Sequence, residues 1–138
     1  MMKFACKAIA LSIFAVTSTF TMAEETNTLS QYGLSFSGNA ALTTDYRYRG
    51  MTQTQSDPAL QGGFALSHSS GLYAGVWGSN VNFGTPDPHV ELDPFLGYST
   101  ELSGFAAKPI LDVGVWYYNY PSASDLNWAE LYGKLTFK

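Results

Sequence analysis

The sequence predicts an all-β protein: an antiparallel transmembrane β-barrel, or an incomplete barrel, of about six strands behind an N-terminal signal peptide. Apolar and polar residues alternate along several segments, no amphipathic helix separates these segments, and a short apolar export signal precedes them. An alternation with a period of two gives a β-strand one apolar face and one polar face. The predicted strands cover residues 34–48, 59–68, 71–82, 89–99, 109–120 and 127–137.

The N-terminus has the layout of a cleavable secretory signal, so we expect residues 1–23 to be removed. Two lysines precede a short apolar run, and Ala23 comes just before two glutamates. The apolar run falls short of the roughly 20 residues that a membrane-spanning helix needs. Residues 24–33 then form a short lead, and residues 34–138 form the barrel domain, which we expect to be truncated at its C-terminus.

The first predicted strand, residues 34–48, sets the orientation of the sheet. Its even positions are mostly apolar or aromatic, from Leu34 to Tyr48, and its odd positions are mostly small or polar. Strands of soluble domains usually have about five or six residues. About 11 residues at a tilt of ~45° span the roughly 25 Å apolar band of an outer membrane. We therefore expect the even-numbered face to meet outer-membrane lipid.

Nearly every charged residue within the predicted strands falls on the polar face. A lysine or arginine facing lipid at the membrane midplane costs ~2–4 kcal/mol, whereas a charge facing a wet lumen costs little. The residues predicted to face the lumen are Asp45, Arg47, Glu91, Asp93, Asp112, Glu130 and Lys134. They would either bias the passage of ions through a pore or form a polar network that fills a narrow barrel.

The connections between the predicted strands differ in length. Residues 69–71 form a tight turn, whereas three connections are longer and carry Gly, Pro, Asp or Asn: 49–58, 83–88 and 121–127. With a periplasmic N-terminus, the long connections would face outward, as is usual for outer-membrane barrels, although the 100–108 connection fits this pattern less well. Pro94 removes a hydrogen-bond donor from the fourth strand, so we expect a bulge or a local break there.

Composition argues against several classes of function. Without residues 1–23 the formal net charge moves from −4 to −6, and no basic patch indicates nucleic acid as a partner. Cys6 is the single cysteine and lies inside the predicted signal, so the mature chain offers no disulfide framework and no thiolate metal site.

Residues that could support catalysis are few. His68 and His89 are the two histidines. Ser67 and His68 are adjacent and point to opposite faces of a strand, which argues against a nucleophile paired with a base. No further His or Cys accompanies His89 to complete a metal site. The sequence therefore predicts a protein that is not an enzyme, with no catalytic residues, no cofactor and no metal.

Five stretches are distinctive in combination: 41–50 (ALTTDYRYRG), 57–64 (DPALQGGF), 71–81 (GLYAGVWGSNV), 90–93 (VELD) and 112–114 (DVG). Together they resemble the TorF family of bacterial outer-membrane porins, and the resemblance covers most of the mature chain. It implies an outer-membrane β-barrel and a channel for small solutes. It supplies neither a substrate nor functional residues.

Two features depart from that family. Its members are generally longer, and bacterial barrels have at least eight strands, about two more than this sequence predicts. Lys138 also follows Phe137, where outer-membrane proteins commonly end in an aromatic residue that the barrel-assembly machinery recognises. We therefore expect either missing C-terminal strands or self-association through edge strands, and we do not expect this chain alone to form a closed, conducting pore.

The predicted function is that of an outer-membrane porin for small solutes, exported through a cleavable signal peptide. Its expected partners are outer-membrane lipid, the barrel-assembly machinery and, through the edge strands, a second copy of the chain. Two alternatives remain: a non-conducting structural or adhesion-type outer-membrane barrel, and a secreted soluble β-sandwich, which would show the same alternation.

Overall fold

The computed structural model describes residues 29–86 and 88–137, which form one antiparallel sheet of six strands and a small separate hairpin. The strands are β1 (Leu34–Thr43), β2 (Arg47–Tyr48), β3 (Met51–Thr52), β4 (Ala59–His68), β5 (Leu72–Asn80), β6 (Val90–Glu101), β7 (Ile110–Tyr118) and β8 (Trp128–Thr136). Two short 3₁₀ helices cover Ser30–Tyr32 and Ser124–Leu126. Among the described residues, no helix has the length and apolar character needed to cross a membrane.

The large sheet follows the order of the chain. Its strands lie in the order β1-β4-β5-β6-β7-β8, and the hairpin of β2 and β3 is inserted between the first two. The prediction of an all-β antiparallel fold is therefore confirmed. Within the described part of the chain, β1 and β8 do not pair with each other, so the sheet is open at both edges rather than closed into a barrel. The predicted signal peptide, residues 1–23, and most of the predicted lead lie outside the described residues.

The predicted first strand is too long. β1 ends at Thr43, and the chain leaves the sheet before Arg47–Tyr48 pairs with Met51–Thr52. The turn between these two pairs holds Arg49 and Gly50 at positive φ, a conformation that ends an extended strand. The alternation beyond Thr43 therefore belongs to a separate hairpin, whose tyrosines pack against the sheet.

Pro94 leaves a gap in the β6–β7 hydrogen bonds but no bulge. β6 continues through Pro94, which lies opposite Val76 of β5. The continuous pairing with β7 stops at Phe95, yet the Leu92 N–H donates to the Asn119 carbonyl at 2.9 Å in the same register. The proline therefore removes one donor that would face β7, and the expected bulge is absent.

The two faces of the large sheet have opposite chemical character, and the apolar face is the exposed one. Large apolar side chains on this face are between 39% and 85% exposed: Phe36, Leu42, Leu60, Phe64, Leu66, Leu72, Leu92, Leu96, Tyr98, Val113, Tyr117, Leu131 and Leu135. The opposite, polar face contains Glu91 and Asp93, which are at most 1% exposed. The usual arrangement, with apolar groups inside and charges outside, is inverted.

On the polar face, aromatic rings lie across glycines of the neighbouring strands. A Cβ atom added to Gly97 would lie within 3.0 Å of the Tyr73 ring, and one added to Gly114 would meet the Tyr132 ring equally closely. Such contacts are shorter than carbon atoms tolerate. The glycines therefore make room for a layer of rings on the polar face.

Candidate functional site: an aromatic and acidic groove

The connection between β1 and β4, residues 44–58, folds over the polar face of the sheet; we call it the inserted segment. Near its start, the Tyr46 ring packs edge-on against Trp77 of β5, with centroids 5.5 Å apart. Further along, the Arg49 guanidinium forms an ion pair of 2.5 Å with Glu130 of β8. The inserted segment therefore reaches from one edge of the sheet to the other.

Asp45 organises the inserted segment from within. Its carboxylate accepts hydrogen bonds from the hydroxyls of Thr52 (2.5 Å) and Thr54 (3.2 Å), and it forms an ion pair of 2.7 Å with Arg47. Hydrogen bonding from Thr52 is the largest influence that lowers the pKa of the Asp45 carboxyl below its ordinary value, and the Arg47 charge acts in the same direction. Asp45 is therefore ionised at neutral pH and closes the base of the hairpin.

A groove of about 530 Å³ lies between the inserted segment and the polar face. Five aromatic rings line it: Tyr46, Tyr48, Trp77, Trp116 and Tyr118. Its polar lining comprises Thr43, Asp45, Arg47, Gln61 and Asp93. Ligand pockets of this size, with many rings and a few polar groups, are common in proteins that bind small molecules.

Asp93 is fully buried beside the groove and is hydrogen-bonded. Its carboxylate accepts the indole N–H of Trp116 at 2.9 Å and the backbone N–H of Asn119 at 3.1 Å. A buried carboxylate requires such donors, because transfer from water is otherwise costly. The donors fix the Trp116 ring, whose face also stacks on Phe95 with centroids 4.7 Å apart.

Glu91 is 1% exposed and is less well satisfied than Asp93. One carboxylate oxygen accepts long hydrogen bonds from the hydroxyls of Tyr46 (3.5 Å) and Tyr120 (3.4 Å), and the other has no partner among the described residues. Burial, together with the Glu91 charge, raises the pKa of Tyr46 and of Tyr120, so both hydroxyls stay protonated as donors. A buried carboxyl oxygen without a hydrogen-bond partner is uncommon in folded proteins.

Glu130 collects three donors at the far side of the groove. It accepts the hydroxyls of Tyr48 and Tyr118, each at 3.2 Å, in addition to the Arg49 ion pair. Tyr118 also stacks on Trp128, with centroids 4.1 Å apart. Two aromatic walls of the groove are therefore oriented by one carboxylate of β8.

The remaining charges lie nearer the other end of the sheet. Asp112 accepts a hydrogen bond from the Tyr73 hydroxyl, which also contacts the Tyr132 hydroxyl. Lys134 lies directly opposite Asp112 in the pairing of β7 with β8 and is exposed.

Residues 25–138 match the model of a family described as a bacterial protein of unknown function (Gcw_chp). The chain belongs to this family. Comparisons with curated proteins and with solved structures gave no match. The function of this family member must therefore be argued from the geometry of its polar face.

The structure brings the predicted polar residues together by two different routes. Five of them share the polar face of the sheet: Glu91, Asp93, Asp112, Glu130 and Lys134. Asp45 and Arg47 lie on the inserted segment instead of on β1, and both line the groove. Whether this face borders a lumen stays a prediction.

Sequence reasoning missed the aromatic half of the site. Trp116 and Tyr118 follow Asp112 at intervals of two, so their position on the polar face was visible in the pattern, but nothing marked them as lining a groove. Arg49 gave no signal, because its partner Glu130 lies 81 residues away in sequence.

The serines and the histidine near the tight turn between β4 and β5 take part in local contacts. A ring nitrogen of His68 lies 2.8 Å from the Ser70 hydroxyl, and the Ser67 hydroxyl donates to the Ser35 carbonyl at 3.4 Å. In residues 29–86 and 88–137, no group of three or more His, Cys, Asp or Glu side chains is placed to hold a metal ion.

Proposed function

We propose that the chain is an outer-membrane β-barrel protein that passes small solutes along its polar face. The observation that carries this proposal is the inverted polarity of the sheet: Glu91 and Asp93 are at most 1% exposed, whereas Leu131 on the opposite face is 85% exposed. In water, this arrangement would be unfavourable on both faces. In a bilayer, lipid covers the apolar face and the polar face borders a wet interior.

Strand lengths support a membrane location. The six strands of the large sheet contain 9 to 12 residues, and a transmembrane β-strand needs about 9–11. The turn between β4 and β5 is short, and the inserted segment and the connections 81–89 and 119–127 lie at the other end of the sheet. Short turns on one side and long loops on the other are typical of outer-membrane barrels, and the turn between β4 and β5 follows this pattern, whereas the connection 102–109 at the same end does not.

The open edges of β1 and β8 must be paired for the sheet to reside in lipid, because each unsatisfied backbone group there costs several kcal/mol. Closure by strands outside the described residues, or by a second copy of the chain, is part of the proposal. The proposal also includes export through the predicted signal peptide, insertion by the barrel-assembly machinery and a relation to the TorF porins.

One observation favours a second function, that of a non-conducting outer-membrane barrel with a structural or adhesive role. The inserted segment crosses the polar face and is held at its far side by the ion pair between Arg49 and Glu130. In a narrow barrel, this segment and the aromatic rings would fill the interior.

Cell fractionation tests the location shared by both functions. We expect the protein in the outer-membrane fraction, with a mature N-terminus near Glu24 by mass spectrometry. Recovery solely as soluble periplasmic material would contradict both functions and favour the soluble sandwich.

Planar-bilayer recording then separates the two functions, and it applies to the protein with its two edge strands paired, because the open sheet alone is not expected to conduct. The seven predicted lumen-facing residues comprise five acids and two bases, so we expect the closed assembly to give single-channel steps with a reversal potential that favours cations in a KCl gradient. A closed, membrane-inserted assembly without conductance would refute the porin and leave the non-conducting barrel.

A further inference from the structure

We propose that the groove beneath the inserted segment binds an organic cation, a hydroxyalkyl ammonium with a compact, methylated head. The inference deepens the proposed function by naming a class of solute, and it rests on that function only for the claim that the bound cation is also transported. Four features of the groove lead to this ligand.

The first feature is the orientation of the ring donors. Four of the five lining rings direct their polar hydrogen at a carboxylate. The Trp116 N–H donates to Asp93 at 2.9 Å, and the Tyr46 hydroxyl donates to Glu91 at 3.5 Å. The hydroxyls of Tyr48 and Tyr118 both donate to Glu130. These N–H and O–H groups are therefore engaged, and a ligand is left with the ring surfaces that line the groove. Phe95 covers one face of Trp116 and Trp128 covers one face of Tyr118, so each of these two rings keeps at most one face for a ligand.

Ring faces of this kind attract cations. The face of an indole or phenol is the negative part of its quadrupole, and a cation within about 6 Å of the centroid is stabilised by it. A hydrogen bond donated to a carboxylate increases the electron density of the ring. Clusters of such rings are the usual recognition site for quaternary ammonium groups.

The second feature is the charge around the groove. Four carboxyl groups line it or bind its rings, namely those of Asp45, Glu91, Asp93 and Glu130, against the guanidinium groups of Arg47 and Arg49. Glu91 and Asp93 are buried and adjacent on one face, so one of them is protonated, and three carboxylates against two guanidinium groups give a balance of −1. Both guanidinium groups are held in ion pairs, Arg47 with Asp45 at 2.7 Å and Arg49 with Glu130 at 2.5 Å. An anion would therefore find no free cationic partner among these residues.

The third feature is the unsatisfied carboxylate beneath the rings. Glu91 is 1% exposed, and one of its oxygens has no hydrogen-bond partner within the described part of the chain. Its neighbour Asp93 is fully buried. Two adjacent buried carboxyl groups do not both ionise, because their charges would repel each other in a region of low dielectric. The pair therefore contributes one negative charge beneath the rings, and that charge stabilises an approaching cation.

The fourth feature is the small number of neutral polar groups left for a ligand. The Thr43 hydroxyl is buried and lacks a partner among the residues described, and Gln61 also lines the groove. Because the Thr43 hydroxyl oxygen is itself buried, Gln61 is the neutral side chain of this lining that a ligand can reach, and it can bind one hydroxyl but not the many hydroxyls of a sugar. A compact ammonium with a single hydroxyl matches this set.

Choline and its uncharged isostere test the proposal. In the isostere, 3,3-dimethylbutan-1-ol, carbon replaces the nitrogen, so shape is kept and charge is lost. The full chain in detergent would be titrated with each compound, with binding followed by calorimetry and by saturation-transfer NMR on the methyl signal. We expect choline to bind at least about tenfold more tightly, since a desolvated cation–π contact contributes about that factor.

Two variants of Trp116 and a matched neighbour locate the site. Trp116→Leu removes the ring and should weaken choline binding about tenfold, whereas Trp116→Phe keeps a ring and should fall in between. Tyr117→Leu changes the adjacent aromatic residue, which lies on the apolar face, and should leave choline binding unchanged. Circular dichroism of each variant verifies that the sheet is intact.

Several results would overturn the proposal. Equal affinity for choline and the isostere would indicate an apolar groove without cation recognition. Tighter binding of maltose than of choline would indicate a polyol site, and a folded Trp116→Leu protein with undiminished choline binding would remove the groove as the site. Conductance in KCl alone is measured separately, on the protein with its edge strands paired. A closed assembly that binds choline without conducting refutes the porin and keeps the site. One that conducts without binding choline refutes the site alone.

Discussion

An arginine on the apolar face should destabilise the protein far more than one on the polar face at the same level of the same strand. Phe64 and Ala65 are adjacent near the middle of β4. Phe64 lies on the apolar face and is 54% exposed, whereas Ala65 borders an open region of the polar face. Phe64→Arg and Ala65→Arg therefore place the same charge on opposite sides of the sheet.

The expected magnitude depends on what covers the apolar face. If lipid covers it, an arginine near the midplane lowers the free energy of unfolding by ~2–4 kcal/mol, which is about a 30- to 1,000-fold change in the folding equilibrium. If water covers it, substitution of a half-exposed side chain stays within about 0.5 kcal/mol. Phe64→Ala serves as the reference, because the ring also stacks on Phe36 with centroids 6.0 Å apart and such a pair contributes about 0.5–1.5 kcal/mol.

Urea-dependent folding into liposomes, followed by tryptophan fluorescence, measures these differences. We expect Phe64→Arg to be less stable than Phe64→Ala by ~2–4 kcal/mol and Ala65→Arg to be much milder. A difference between Phe64→Arg and Phe64→Ala below about 0.5 kcal/mol would refute the assignment of lipid to this face. A greater loss of stability from Ala65→Arg than from Phe64→Arg would refute it as well.

Three further predictions concern the ring layer and the inserted segment. Gly97→Ala should lower the free energy of unfolding by about 1–3 kcal/mol, because its Cβ would meet a tyrosine ring, whereas Gly104→Ala, with nothing within 4 Å, should be tolerated in the same urea titration. The pKa of Asp45 is lowered in the fold, so the contribution of its carboxylate to stability is present above the ordinary value of 3.8 and is lost as the pH falls through the lowered value. Protease cleavage of the inserted segment should therefore rise only at such acidic pH. Asp45→Asn should abolish this pH dependence. Arg49→Ala removes the ion pair with Glu130 and should raise single-channel conductance, with no further rise when Glu130→Gln is added; unchanged conductance would show that this ion pair does not hold a constriction.

The sequence predicted the strands of the large sheet well where the two faces of a strand have different environments, because apolar and polar residues then alternate along the strand. Residues 59–68 were assigned to a strand with the bounds that the structure has. The carboxylates Glu91, Asp93 and Asp112 were assigned to one face, because neighbouring residues in a strand must point to opposite sides. The face to which a side chain of a strand points depends only on its position along that strand, so it can be read directly from the sequence.

The inserted segment could not be predicted in the same way. Residues 44–48 continue the alternation, yet they form a hairpin that is defined by the hydrogen bonds of Asp45 and by the contact of Tyr46 with Trp77. These contacts depend on tertiary packing, which overrides a local pattern. The groove forms only because the inserted segment folds over the polar face, so its aromatic lining could not be predicted from the sequence either.

The effect of Pro94 on strand pairing was also only partly predictable from the sequence. A proline within a strand was expected to produce a bulge or a local break, and the structure shows a local break in the pairing with β7 without a bulge, because the missing N–H affects only the side that faces β7. Which side of a strand loses the donor depends on the pairing of both neighbours. That pairing cannot be derived from the residues around the proline alone.

The central claim, that lipid covers the apolar face and water the polar face, is tested most directly by spin labels along β4. Cys6 is the single cysteine of the chain, so after its replacement by serine each new cysteine at residues 60–67 carries a unique label. Collision with oxygen reports lipid, and collision with a water-soluble nickel complex reports water. We predict a period of two in liposomes, with residues 60, 62, 64 and 66 accessible to oxygen and residues 61, 63, 65 and 67 accessible to nickel. Nickel accessibility at the even positions would contradict the claim.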